Sequence, residues 1–211
     1  MTIGSHTIND AHAYGVLTVE QILQKSSNVG TAKMALQMPP QEMWQLFTQV
    51  GFGQAPDIGF PGAVAGRVRP HRGWKPIEQA TMSYGHGISV SLLQLARAYS
   101  IFARDGELIP VTMLKHAERV DGETVIRKDT AKAVRHMLEL AAGPGGTAPQ
   151  AQIQGYRVAG KTGTAQWNSK KDNHAWFAAF APYEKPQIVV IVLIEEGKEG
   201  SEAAVPVVYD F

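Results

Sequence analysis

Gly160-Lys161-Thr162-Gly163-Thr164-Ala165-Gln166 follows directly after a short β-prone segment, residues 156–158. The stretch combines a fixed positive charge and two hydroxyl groups with glycines, which let a ligand approach the backbone closely. This composition suits an anionic ligand better than it suits a hydrophobic core. Two interpretations follow. One is an active-site edge strand that binds a carboxylate; the other is a phosphate-binding loop, since Gly155–Thr162 fits G-x-x-x-x-G-K-[ST].

The surrounding residues favour the strand. A phosphate loop runs from a strand through glycines into a helix whose N-terminus faces the phosphates. Here strand formers lie between the two glycines, and Gly163 sits where the helix would have to begin, at a cost of about 1 kcal/mol. Although Ile188–Glu195 resembles a Walker B strand that ends in an acid, only about fifty residues follow Gly160, too few for βαβ units.

In the strand interpretation, side chains alternate between the two faces of the sheet. Lys161 and Gly163 then point to one face, and Thr162 and Thr164 point to the other. A peptide can add to such an edge as an extra strand, while the ammonium and hydroxyl groups hold its carboxylate. The backbone N–H of Thr164 would polarise a bound carbonyl as half of an oxyanion hole.

Composition limits the class of protein. The 211 residues are 44% hydrophobic and 18% charged, with a formal net charge of +1. These are values of a soluble globular protein, and so weak a charge predicts no nucleic-acid partner. The chain has no cysteine, which excludes disulfides, thiolate zinc sites and a cysteine nucleophile. The longest apolar run, Ile188–Ile194, is too short to span a bilayer. We therefore expect function to lie in a local site.

Hydrophobic periodicity predicts helices over most of residues 1–150. Thr18 and Gln21 have the spacing of a capping box, and the helix that they start should end at residues 26–28. Further helices are predicted up to Pro39, from Pro40 to residue 51, from Ser89 or Ser91 to residue 105, and from residue 129 or 130 onward. The predicted buried stripe of the helix at Pro40 is Met43, Leu46, Phe47 and Val50.

Residues outside these helices predict loops and strands. Residues 53–76 predict a long surface excursion, residues 108–114 an extended segment, and residues 118–127 a hairpin around Asp121-Gly122. Everything after residue 150 is strand-like, with strands at 155–165, 175–181 and 187–195 and turns at 168–173 and 182–186. Helices first and an antiparallel meander last is an α+β pattern.

Ordered motifs resemble those of a known family. Ser26-Ser27-Asn28 and Lys161-Thr162-Gly163, in this order and separation, resemble motifs of the penicillin-binding protein transpeptidases and serine β-lactamases. Residues 24–30, 79–87 and 158–165 are similar to class B penicillin-binding proteins, above all the division-specific peptidoglycan D,D-transpeptidase of Gram-negative bacteria. The resemblance covers nearly the whole chain.

The resemblance implies an architecture and an activity. A mainly helical part, residues 1–150, would carry the S-x-N motif, and an antiparallel sheet, residues 151–211, would carry the K-T-G motif. The reaction would be serine acyl transfer on peptidoglycan stem peptides that end in D-Ala-D-Ala, with β-lactams as mimics and without a metal or organic cofactor. The parent protein would be periplasmic, anchored in the inner membrane and associated with divisome membrane proteins, and would act in septal cell-wall synthesis.

The resemblance also implies three catalytic residues. Ser26 would lie between a nucleophilic serine and Lys161 and pass a proton to the leaving amine, the task of a short hydroxyl relay beside a partly desolvated lysine. Asn28 would hold the substrate amide and fix the geometry of the lysine. Taken alone, a Ser-Ser-Asn at a helix boundary also fits ordinary helix capping.

Five further residues are implied in substrate binding. Thr162, Gly163 and Thr164 would form the strand that binds the carboxylate, and Tyr84 and Gly85 would line the cleft. Simple β-propensity explains the threonines but not the adjacent lysine and glycine. A plain turn explains Tyr84 and Gly85 equally well.

One part of the family pattern has no match. The S-x-x-K motif supplies the acylated serine and its lysine, but no serine of this chain is followed three residues later by lysine. Only Thr112–Lys115 approximates the spacing, and it comes after the S-x-N motif rather than before it. We therefore expect a partial transpeptidase domain, incomplete at both ends and inactive alone. The alternatives are a non-catalytic partner-binding module that keeps the fold, and a phosphate-loop NTPase.

Overall fold

A computed structural model describes residues 1–115, 120–166 and 173–209 of the chain. The α-helices are α1 (Val19–Lys25), α2 (Asn28–Ala35), α3 (Pro40–Gln49), α4 (Pro76–Met82), α5 (Leu92–Ala103), α6 (Lys128–Ala142) and α7 (Val205–Tyr209). The strands are β1 (Thr2–Ile3), β2 (His6–Thr7), β3 (Glu107–Leu108), β4 (Glu123–Thr124), β5 (Ala159–Gln166), β6 (Asn173–Ala181) and β7 (Ile188–Gly197). The α+β order is confirmed. In the described ranges, no helix combines the length and apolar character needed to cross a membrane.

The corner between α1 and α2 is built by successive helix caps. Thr18 Oγ1 accepts a hydrogen bond from Gln21 N–H at 3.2 Å, and Gln21 Oε1 accepts one from Thr18 N–H at 2.9 Å, which confirms the predicted capping box. Ser26 ends α1 with φ at 56°, and Ser27 starts α2 by accepting from Gly30 N–H at 2.9 Å. Because this left-handed conformation turns the chain sharply, Ser26 lies at an exposed corner.

The sheet that follows the helices is antiparallel, in the order β5-β6-β7. Lys161 pairs with Ala178, Thr162 with Phe177 and Gly163 with Trp176. β5 is therefore an edge strand within the described part of the chain, as the sequence predicts.

The two faces of the sheet pack against different elements. On one face, Ala159 and Phe180 pack with Leu138 of α6 and with side chains of α5. On the other face, Val158 and Phe177 pack with α7 and with a 3₁₀ turn at Pro149–Ala151. Since side chains alternate along a strand, Lys161 shares the α6 face, whereas Thr162 and Thr164 share the α7 face.

This geometry rules out the phosphate loop. Lys161 and Thr162 lie inside β5, which continues as a strand to Gln166 where a phosphate loop would enter a helix. The Walker B-like segment Ile188–Glu195 lies in β7, which pairs antiparallel with β6 rather than joining a parallel sheet. The phosphate-loop hypothesis is therefore wrong.

One arm of the predicted hairpin at 118–127 lies partly outside the described residues, so that its pairing stays a prediction. Glu123–Thr124 pairs with Glu107–Leu108, and the rest of the predicted extended segment 108–114 forms no strand. Leu108 is buried against Phe52 and Ile101, which stabilises this pairing. Residues 116–119, and 168–172 of a predicted turn, lie outside the described residues.

Two other predictions need correction. Leu46 is 41% exposed, because α3 buries a narrower face than the predicted stripe. The prediction that everything after residue 150 is strand-like is wrong at the end of the chain. There Gly200–Ala204 forms a π-helical turn that leads into α7. Ala204 and Val205 are fully buried on the sheet, so packing on the sheet stabilises this helix.

The predicted excursion after residue 53 is confirmed, and it is held by one buried amide. Gln94 Nε2 lies 3.0, 2.9 and 2.8 Å from the carbonyl oxygens of Gly51, Gln54 and Ala65. Gln94 Oε1 accepts from Ser91 N–H at 2.8 Å. One side chain thus joins the start of α5 to two ends of an irregular loop.

We expect Gln94→Leu to lower the free energy of unfolding by about 2–4 kcal/mol, because it leaves several buried backbone groups without a partner. Urea denaturation measures the effect. Gln45→Leu, at an exposed position of α3, is the matched control and should change stability by no more than about 0.5 kcal/mol. Equal midpoints for the two variants would contradict the role of Gln94.

Candidate active site

Lys161 of β5 meets Ser26 at the end of α1, although 135 positions separate them in the sequence. Lys161 Nζ donates to Ser26 Oγ at 2.7 Å and to the carbonyl oxygen of Thr162 at 2.9 Å. Burial lowers the pKa of Lys161 from 10.5 to about 8. An amine with a pKa near neutral pH can both give and take a proton, so the pair can work as a relay.

Asp10 holds the S-x-N motif in place. Its Oδ2 accepts from Ser27 Oγ–H at 2.7 Å, and its Oδ1 accepts from Val29 N–H at 2.9 Å. Asn28 Nδ2 donates to the carbonyl oxygen of Asn9 at 3.5 Å. An acidic group is favourable at a helix N-terminus, where backbone N–H groups lack partners. Sequence reasoning missed Asp10 because it lies 17 positions before Ser27 and has no local motif.

The segment 143–148, between α6 and β5, forms hydrogen bonds with both α1 and β5. Lys25 Nζ donates to the carbonyl oxygen of Gly145 at 2.8 Å. The hydroxyl oxygens of Thr147 and Thr162 lie 2.7 Å apart and share a hydrogen bond. The contacts therefore form a closed ring, which runs from Ser26 through Lys161, Thr162 and this segment back to α1. Thr147 was also missed from the sequence.

The threonines of the K-T-G strand face away from the lysine side of the sheet. Thr162 is half-buried beside Thr147, whereas Thr164 is exposed and its Oγ1 accepts from Gly200 N–H at 3.2 Å. Gly163 lies between them, with its backbone close to Gly200. A ligand along the edge of β5 would thus meet an ammonium group from one face and hydroxyl groups from the other.

Tyr84 and Gly85 are not joined to this ring by hydrogen bonds in the described part of the chain. Tyr84 packs beside Ala32 and Ala80, and burial raises the pKa of its phenol. Gly85 has φ at +97°, in the turn after α4, a conformation that favours glycine. The structure shows a turn packed on α2, and a role of Tyr84 and Gly85 in lining the cleft stays a prediction.

Comparison with known proteins defines the class. Over residues 1–211 the chain matches the family model described as the penicillin binding protein transpeptidase domain. The chain belongs to this family.

Two similar proteins are named as peptidoglycan D,D-transpeptidases, one of them as a probable one. The chain is 44% identical to a probable peptidoglycan D,D-transpeptidase PenA of Neisseria flavescens, over 97% of this chain and 54% of that protein. It is 37% identical to the peptidoglycan D,D-transpeptidase FtsI of Escherichia coli K12, over 94% of this chain and 34% of that protein. The chain therefore spans about half the length of the first relative and a third of the second.

A solved structure agrees in fold. The apo structure of the TP domain of penicillin-binding protein 3 from Burkholderia pseudomallei is 47% identical, with a TM-score of 0.93. The match covers 99% of this chain and 66% of that one.

We expect Lys161 to titrate well below an ordinary lysine. With a folded pKa of about 8 against 10.5, the folded protein binds fewer protons than the unfolded chain between these values. The contribution of Lys161 to the free energy of unfolding therefore rises as the pH increases from about 8 to 10.5. An NMR titration of lysine side chains measures the pKa, and Lys161→Met assigns the signal.

Ser26→Ala should lower the pKa of Lys161 further, because the variant removes an acceptor that stabilises the charged ammonium group. Ser5→Ala, at an exposed position, is the matched control and should leave the titration as in the wild type. If Ser26→Ala and Ser5→Ala titrate alike, the hydrogen bond to Ser26 does not exist in solution.

Asp10→Ala should cost about 1–3 kcal/mol of stability, because the Ser27 hydroxyl and Val29 N–H lose their acceptor. Asp10→Asn should cost less, because its amide keeps one acceptor oxygen. Urea denaturation compares both with Asp57→Ala, which removes an exposed carboxylate. If Asp10→Ala lowers the free energy of unfolding no more than Asp57→Ala does, Asp10 does not stabilise the S-x-N motif.

Proposed function

We propose that this chain is the part of a peptidoglycan D,D-transpeptidase that carries the relay serine and the substrate-binding strand. The whole enzyme cross-links stem peptides of the septal cell wall by serine acyl transfer. The observation that carries the proposal is the 2.7 Å hydrogen bond between Lys161 and Ser26, which joins the two family motifs in one site. Membership of the transpeptidase family supports the same activity.

In the proposed reaction, a serine of the parent protein gives its proton to the lysine of its S-x-x-K motif and attacks the carbonyl carbon of the penultimate D-alanine. An ester bond forms and the peptide bond to the last D-alanine breaks. Ser26 gives its proton to the leaving amine and takes one from Lys161. The amine of a second stem peptide then attacks the ester carbonyl and loses its proton through Ser26 to Lys161. The ester bond breaks, and the S-x-x-K lysine returns its proton to the nucleophilic serine. The low pKa of Lys161 supports this relay, because the amine gives up its proton more readily than an ordinary lysine.

The edge of β5 is the proposed binding site of the substrate backbone. Lys161 and Thr164 hold the terminal carboxylate, beside Thr162, whose hydroxyl donates to Thr147 Oγ1. Gly163 leaves room for close approach of the peptide. The Thr164 N–H stabilises the oxyanion that develops on the attacked carbonyl. Asn28 binds a substrate amide through its side chain. Its amide oxygen supports this role, because it has no hydrogen bond within the described residues.

The proposed location and partners follow from the substrate. Peptidoglycan lies outside the cytoplasmic membrane, so the chain acts as a periplasmic part of a protein anchored in the inner membrane. Similarity to the E. coli transpeptidase FtsI supports a role in division, with divisome membrane proteins as partners of the parent chain. β-Lactams acylate the enzyme as mimics of D-Ala-D-Ala, and Tyr84 and Gly85 line the cleft that receives them.

Labelling with a fluorescent penicillin tests the proposal. We expect no covalent labelling of the isolated chain, which has no S-x-x-K serine, and stoichiometric labelling of the full-length parent protein. In the parent, Lys161→Ala should slow acylation by at least about a hundredfold, the usual effect of losing a proton-transfer group.

Lys132→Ala, which removes an exposed lysine of α6, is the matched control and should acylate at the wild-type rate. Stoichiometric labelling of the isolated chain would contradict the prediction that this chain has no nucleophilic serine. If the Lys161→Ala parent protein is acylated at the wild-type rate, Lys161 has no catalytic role. The alternative of a non-catalytic partner-binding module would then be favoured.

A further inference from the structure

A short segment crosses the back of the K-T-G strand. Residues Lys198–Ala204, here called the Gly200 turn, leave β7 and pass over the α7 face of the sheet before α7 begins. Asn173 Nδ2 donates to the carbonyl oxygen of Lys198 at 3.0 Å and fastens the start of the turn to β6. Gly200 itself is buried. The turn therefore lies directly behind the proposed substrate-binding edge.

Gly200 is a glycine for reasons of space. A Cβ atom at this position would lie 2.5 Å from the carbonyl oxygen of Gly163 and 2.6 Å from that of Trp176. It would also lie 3.1 Å from the backbone nitrogen of Gly163. These neighbours are backbone atoms of a paired sheet and cannot move as a flexible side chain could. Any larger residue must therefore push the turn away from β5.

The close approach brings one backbone donor onto Thr164. Gly200 N–H donates to Thr164 Oγ1 at 3.2 Å and so occupies a lone pair of the hydroxyl oxygen. Within the described residues, the Thr164 hydroxyl has no acceptor for its own proton, and the residue is exposed. Thr162 differs, because its hydroxyl is already paired with that of Thr147. The turn thus leaves Thr164 with a proton to donate outward.

We propose that the Gly200 turn is a positioning element that makes Thr164 a hydrogen-bond donor toward the ligand and thereby favours a carboxylate over a neutral group there. The inference rests on the proposed function, in which Thr164 faces the carboxylate of the substrate or β-lactam. A hydroxyl that accepts one hydrogen bond is polarised to donate another. Hydrogen bonds to a charged acceptor are roughly twice as strong as neutral ones, so the loss of this donor weakens carboxylate ligands most.

The test uses the full-length parent protein and two probes, benzylpenicillin and its methyl ester, which lacks the negative charge. The measured quantity is the ratio of their second-order acylation rates. Gly200→Ala should slow acylation by benzylpenicillin about five- to tenfold and acylation by the ester less than about twofold. The ratio of the benzylpenicillin rate to the ester rate should therefore fall. Gly15→Ala adds a Cβ where no atom lies within 4 Å, and should keep the wild-type ratio.

Two further variants cover a failure of Gly200→Ala to fold. Asn173→Ala releases the start of the turn without adding atoms and should lower the same ratio. Thr164→Val should speed amide hydrogen exchange at Gly200, whereas Thr164→Ser keeps the hydroxyl and should preserve both the slow exchange and the ratio. Equal slowing of the two probes in Gly200→Ala, or unchanged ratios in Gly200→Ala and Asn173→Ala, would overturn the inference.

The outcomes separate this inference from the proposed function. If Thr164→Val lowers the ratio and the two turn variants do not, Thr164 binds the carboxylate without help from Gly200, and only the positioning role is wrong. If Thr164→Val also leaves the ratio unchanged, the carboxylate-binding role of Thr164 is wrong, and the inference fails with it.

Discussion

Lys161 and Ser26 meet where the edge of the sheet comes against the corner between two helices, and the site depends on this one hydrogen bond. A partly buried ammonium group is unfavourable unless acceptors surround it. Here the acceptors are a serine hydroxyl and a backbone carbonyl, at 2.7 and 2.9 Å. The same burial lowers the pKa of the amine toward neutral pH. Packing therefore also sets the pKa on which the proposed proton relay depends.

Each partner of this hydrogen bond is held by elements that are distant in sequence. Asp10 binds the residues that follow Ser26, and the segment 143–148 binds both Lys25 and Thr162. Gly200 supports β5 from the opposite face. A catalytic group works only when its neighbours keep it in the productive geometry. The ring of contacts supplies that rigidity, and within the described residues no strand pairs with the outer edge of β5.

Local signals in the sequence predicted much of the fold. The capping box at Thr18, the end of α1 at Ser26 and the edge strand through Lys161 follow from rules that act within a few residues. Those rules failed where tertiary packing opposed them. The segment after β7 becomes helical because Ala204 and Val205 pack on the sheet.

The sequence by itself determined the class of protein, the strand that carries Lys161 and the two motifs of the site, because these depend on residue order and short-range spacing. Only the tertiary structure showed that Asp10, Thr147 and Gly200 support those motifs. Such contacts join residues that lie 15 to 36 positions apart and carry no shared pattern, so only the packing of helices against the sheet determines which groups meet.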